Sequence, residues 1–100
     1  MVKCNTMTEV RTEVDRIDRE LVKLMAERQV YIEQAGHIKG ERTAVRDQPR
    51  IEEVVEKVLQ EADRHKLSRA IAEPVWRLLI EKSIEYEYAV FDEKKKTANA

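Results

Sequence analysis

The sequence predicts an all-α protein, and three observations carry that reading. Only 2 Gly and 2 Pro occur in 100 residues, beside 39% charged and 42% hydrophobic residues, which is how long amphipathic helices joined by few turns are composed. An apolar seam with steps of three and four runs unbroken from Val10 to Ile38. Two shorter stretches with the same spacing follow it. The expected architecture is a single domain over residues 1–100, a three-helix chain with a long first helix.

The first seam consists of Val10, Val14, Ile17, Leu21, Leu24, Arg28, Tyr31, Ala35 and Ile38, which places a heptad-type helix over roughly residues 8–39. Gly40 follows it and suits a left-handed C′ position. At ~1.5 Å per residue such a helix is about 48 Å long, too long to be covered by two shorter helices of the same chain. Its uncovered length is therefore expected to meet another subunit. A chain this short also buries a small fraction of its surface when folded alone, which again calls for a partner copy.

Glu41 to Arg46 read as a loop. Asp47 then serves as N-cap and Pro49 falls in the first turn, where a missing N–H does no harm. The second helix, residues 47–64, carries Ile51, Val54, Val55, Val58, Leu59 and Ala62 at helical spacing, with Asp63 to Leu67 as its polar exit. Ser68 is the next N-cap. The third helix, residues 70–92, sets Trp76, Ile80, Ser83, Glu87 and Val90 on one seam, with Glu81, Lys82 and Glu85 opposite. Pro74 leaves two starts open: regular helix beginning close to it, or a first turn from Ser68 that is kinked there. The polar tail 93–100, with its Lys94-Lys95-Lys96 run, is expected to fray.

Composition narrows the function classes. Nineteen basic and twenty acidic residues leave a net charge of −1, so there is no surplus of positive charge to hold a nucleic acid by counterion release. Residues Met1 to Thr8 lack an apolar leader core, and no stretch approaches the ~18 apolar residues of a membrane span. The single Cys4 forms no internal disulfide, which suits a reduced, cytoplasmic compartment. His37 and His65 have no neighbours at metal-ligand spacing and no glycine-rich phosphate loop is present, so neither metal nor nucleotide cofactor is expected.

The informative residues are polar ones on apolar seams: Arg28 in the first helix, Ser83 and Glu87 in the third. Each alone fits a bland role, fixing register or pointing into a wet end of a bundle. Together with other cations they say more. Lys39 follows Arg28 by eleven residues, which at ~100° per residue returns it to nearly the same face, about 16 Å further on. Arg11, seventeen residues before Arg28, lies about 25 Å away within one helix, so it joins them only across a dimer. Arg50 adds a cation at a helix N-terminus, itself favourable to anions. Guanidinium groups bind carboxylates in bidentate fashion and stay charged when buried, so the implied ligand is a small polycarboxylate.

These residues resemble the all-α, AroQ-type chorismate mutases. The likeness runs from Val10 to about Phe91 through Val10-Arg11 to Ile17-Asp18, Glu20-Leu21, Ala26-Glu27-Arg28, Lys39, Val45-Arg46-Asp47 to Arg50, and Ile80-Glu81-Lys82-Ser83. The resemblance implies an intertwined helical homodimer that rearranges chorismate to prephenate for aromatic amino acid biosynthesis, without a cofactor, each active site taking Arg11 from the other subunit. It further implies that Arg28 and Arg50 hold substrate carboxylates and that Lys39 reaches a carboxylate and the ether oxygen. Asp47 and Ser83 supply polar contacts, and Glu87 matches the second donor to the ether oxygen, a role in which it acts as a neutral carboxyl. The chain departs from the family pattern at Ile51, where many members carry a glutamate that accepts the substrate hydroxyl. It departs again at Glu87, where glutamine is common. Ile51 leaves an isochorismate pyruvate lyase on the same fold as an alternative. A non-catalytic helical dimer is the other, and the four cations Arg11, Arg28, Lys39 and Arg50 weigh against it, because unused buried charge costs stability.

Overall fold

Thr6 starts the first helix by local chemistry: its hydroxyl accepts the Glu9 N–H (3.1 Å), while the Glu9 carboxylate reaches back to the Asn5 N–H (3.1 Å). In the computed structural model, which describes residues 3–98, the helix so begun is α1, Met7–Ile38. A 3₁₀ turn, Arg42–Ala44, follows, then α2, Gln48–Arg64, and α3, Arg69–Ala98. The described residues contain helices and no strand. None of these helices is long and apolar enough to cross a membrane. The chain divides into two units, one up to Tyr31 and one from Ile32 onward.

The first unit is the outer part of α1. Its heptad seam is present as a stripe, yet Val10, Val14, Ile17, Leu21 and Leu24 are all exposed, from 37% for Val10 to 61% for Leu24.

The second unit holds the core. Ile51 and Val55 of α2 pack with Ile80, Ile84 and Phe91 of α3 and with Val45 from the connector, flanked by Val54, Leu59 and Tyr88. Each such buried side chain stabilises the fold by about 1.5–3 kcal/mol. The buried residues of α3 are Ala72, Ile80, Ile84, Glu87 and Phe91, so that of the expected seam Ile80 and Glu87 are buried while Trp76, Ser83 and Val90 are half-buried at its edge. Val45 is the apolar plug of an otherwise polar loop, and at 4% exposure it ties that loop to the core.

Helix starts follow local rules. Asp47 caps α2 by accepting the Arg50 N–H (3.1 Å), with Pro49 in the first turn. Ser68 caps α3, its hydroxyl accepting the Ala70 N–H (3.2 Å) and its carbonyl the Ala72 N–H (2.9 Å). Pro74 therefore lies inside α3, where it leaves the Ala70 carbonyl without its helical donor. Nearby, Arg77 grips Glu52 of α2 with two N–H bonds (3.0 and 3.1 Å) and Glu73 with a third (3.1 Å). These bonds raise the Arg77 pKa and hold the Glu52 carboxyl below its usual range.

Helix ends depart from expectation twice. Gly40 has no positive φ and open space around it, so α1 does not end in a left-handed glycine. Instead the Lys94 ammonium donates to the His37 and Lys39 carbonyls (3.1 and 2.8 Å), taking up groups that a helix end leaves unsatisfied. The expected frayed tail is likewise helical to Ala98, while residues 99–100 of that tail lie outside the described residues. The extension is held by Lys94, by the Lys94 and Lys95 ammoniums over the Phe91 ring (4.5 and 5.9 Å) and by the Thr97 hydroxyl on the Glu93 carbonyl (3.1 Å).

At the end of α2 the Leu67 N–H bonds the Ala62 carbonyl (2.8 Å) and the Lys66 N–H bonds that of Asp63 (3.3 Å), the pairing of a Schellman motif. Its left-handed residue is Lys66, at φ 61°, where an L side chain costs about 1–2 kcal/mol. Lys66→Gly should therefore stabilise the protein by about 0.5–1 kcal/mol, net of the added freedom of the unfolded chain. Urea denaturation checks it, and an unchanged or lower midpoint would contradict the strain argument.

Candidate active site

Glu87 is the one charged side chain buried in the described core, at 5% exposure. A carboxylate there needs a partner, and Lys39, directly after the last turn of α1, supplies it: the Lys39 Nζ donates to Glu87 Oε2 at 2.6 Å and lies 3.5 Å from the Val45 carbonyl. The two residues are 48 apart in sequence. The pair joins the end of α1, the connector and the middle of α3 at one point.

Gly36 makes that approach possible. A Cβ there would stand 2.9 Å from Val90 Cγ1, 3.2 Å from Val90 Cβ and 3.3 Å from the Glu87 carbonyl oxygen. The last turns of α1 thus run against α3 at the level of Glu87 because position 36 has no side chain. Two exposed pairs flank the buried one. Arg46 pairs with Glu81, and Arg42 binds Asp92 (3.0 Å) while stacking over the Tyr88 ring (4.3 Å). The hydrogen bonds that both guanidiniums donate to these carboxylates raise their pKa. Such exposed pairs add little stability individually, but the two together with Lys39–Glu87 tie the connector to α3 at three points.

The other expected site residues are placed as follows. Ser83, one turn before Glu87, is half-buried and its hydroxyl donates to the Leu79 carbonyl (2.7 Å). Asp47 is exposed and engaged as the α2 cap. Arg50 is exposed and bonds Glu53 (3.0 Å). Ile51, at 8% exposure, belongs to the apolar core beside Val45 and Val55, so its side chain forms wall and offers no polar group. In the outer unit Arg11 is exposed, whereas Arg28 is half-buried and burial lowers its pKa. Among the described residues no three His, Cys, Asp or Glu side chains are grouped to hold a metal ion.

The structure therefore brings Lys39 and Glu87 into contact. Gly36, which seam periodicity does not single out, is the added element. Its signal was a helix-breaking residue inside an otherwise strong helical pattern, one of only 2 glycines in the chain.

The described residues thus form helices in which a half-buried ammonium meets a buried carboxylate. The family model for chorismate mutase type II matches residues 10–88, and the chain belongs to that family. It is an isomerase that converts chorismate to prephenate. Among curated proteins no sequence matches the chain.

Gly36→Ala places a methyl group where Val90 already stands. Helix propensity favours alanine by up to about 1 kcal/mol, but a branched Val90 side chain yields little, so α1 must withdraw from α3 and draw Lys39 from Glu87. Chorismate turnover is expected to fall about tenfold, in line with the steep dependence of rate on positioning, and Val90→Ala in the same chain should recover part of it. Unimpaired turnover by Gly36→Ala would mean that this close approach is dispensable.

Proposed function

We propose that the chain works as a cytoplasmic homodimer serving aromatic amino acid biosynthesis, each active site built around Lys39 and Glu87 of one subunit and completed by Arg11 of the other. The observation that carries the site is the 2.6 Å Lys39–Glu87 pair, because a buried carboxylate met by a half-buried ammonium is retained at a cost in desolvation that function can explain. The reaction breaks one C–O bond and forms one C–C bond within a single molecule. It requires no covalent intermediate; the protein holds a flexible dianion in a compact conformer and stabilises negative charge gathering on the ether oxygen.

In this reading Lys39 turns its ammonium toward a carboxylate and the ether oxygen, and Glu87, which holds that ammonium from α3, stands at the position of the second group facing the same oxygen. Arg28 and Arg50 hold carboxylates. For Arg28, a half-buried cation whose pKa burial already lowers, an anionic ligand offsets the desolvation. For Arg50, the position is the first turn of α2, where backbone N–H groups add to its attraction for anions. Asp47 and Ser83 add polar contacts, and Ile51 gives an apolar wall where a carboxylate acceptor is common in the family.

The dimer is supported by the outer part of α1, whose regular stripe of exposed Val10, Val14, Ile17, Leu21 and Leu24 is the seam of a helix that expects a partner. Arg11 stands beside that stripe, and a two-fold axis would carry it to the other subunit's site, twice per dimer.

Two measurements test this. The purified chain should convert chorismate to prephenate, and faster than it releases pyruvate from isochorismate; the reverse preference would favour the lyase reading that Ile51 leaves open. Arg11→Ala and Arg28→Ala should each lose most chorismate turnover, yet an exchanged equal mixture should regain about a quarter of the parent rate, because half of the dimers are mixed and each has one intact site. Absence of recovery despite verified subunit exchange would rule out a shared site.

A further inference from the structure

Lys39 lies just beyond the last residue of α1, at a helix terminus, where backbone order is normally poorest. Its N–H still bonds the Ala35 carbonyl (3.0 Å), but no left-handed residue closes the turn after it. The closure comes from α3. The Lys94 Nζ donates to the Lys39 carbonyl at 2.8 Å and to the His37 carbonyl at 3.1 Å, a cation placed at the negative end of the helix dipole. The lysine is itself held, because its ammonium lies 4.5 Å from the centroid of Phe91, a ring only 2% exposed in the core. Lys94 thus grips the backbone of the residue whose side chain meets Glu87, two helical turns earlier on α3. Gly36 brings the same end of α1 against Val90, midway between the two contacts.

We propose that Lys94 is a positioning residue for Lys39: by fixing the backbone at the end of α1 from the same helix that carries Glu87, it sets the direction from which the Lys39 ammonium enters the site. This rests on the reading that Lys39 touches the substrate. Lys94 acts through the main chain and needs no contact with the substrate, so its loss changes the alignment of Lys39 in the transition state more than it changes binding.

Lys94→Met keeps most of the stem and removes the donor, while Lys94→Arg keeps a cation able to reach both carbonyls. Lys94→Met is expected to lower kcat for chorismate about tenfold with KM changed less than about twofold at unchanged helical circular dichroism, and Lys94→Arg to recover most of the rate. In a Lys39→Gln background the same Lys94→Met change should cost less than about threefold, because there is no ammonium left to aim. Full activity of Lys94→Met, or an equal loss in both backgrounds, overturns the proposal; the latter is what a merely structural contact gives. Full activity of Lys39→Gln would overturn the reading of Lys39 itself, a separate outcome. Lys94→Gln, which retains a neutral donor, should fall between the parent and Lys94→Met, and a loss as large as that of Lys94→Met at intact helicity would count against a role for graded hydrogen bonding.

Discussion

The second unit of this protein is organised around one interaction, the ammonium of Lys39 against the buried carboxylate of Glu87. A charge at 5% exposure destabilises a fold unless a counter-charge meets it in good geometry, and the counter-charge here comes from the far end of a 32-residue helix. Several unrelated features serve that meeting. Gly36 lets the helix approach, Val45 anchors the connector and offers its carbonyl to the same ammonium, and Lys94 closes the helix end. Replacing the pair by apolar residues of similar size would often be neutral or better for stability, so its presence is more readily explained by chemistry than by folding.

The two helix ends that flank the connector and the α2–α3 turn are solved by different physics. The α2 end is local: a Schellman pairing among Ala62, Asp63, Lys66 and Leu67, achieved even with a lysine in the left-handed position. The α1 end is tertiary, since its carbonyls are satisfied by a side chain 55 residues away in sequence. A locally closed end is indifferent to what surrounds it. An end closed from α3 keeps its geometry only while α3 is in place, so the position of Lys39 is coupled to the packing of the core beneath it, through Phe91 and Val90.

How much of this was legible in the sequence follows from the same distinction. The three helices, the Asp47 cap and the α2 core residues depend on spacing within a few residues, and each is present where periodicity or capping chemistry placed it. Gly40 follows a helix, where a glycine commonly closes the turn, yet the helix here ends by another route. The tail lacks apolar residues and so predicts fraying, yet its lysines find Phe91 and the α1 carbonyls, partners that no local pattern reveals. Arg28, Ser83 and Glu87 stand out in the sequence as polar residues on apolar seams. That Lys39 would be the partner of Glu87, and that Gly36 would be required between them, depends on how α1 meets α3, which periodicity does not encode.

The outer part of α1 completes the physical picture on the proposed dimer. A core cluster of six buried apolar side chains between α2, α3 and the connector is small for a chain of this length, and the stripe from Val10 to Leu24 is exposed. Burying that stripe against a second copy would supply the missing apolar burial at ~25 cal/mol per Å², and the same movement would deliver Arg11 to a site it cannot reach within its own helix. Stability and catalysis would then draw on one surface. In such an arrangement protomer concentration governs both, and a substitution on the stripe, remote from any reacting atom, would lower activity by depopulating the dimer rather than by disturbing the site.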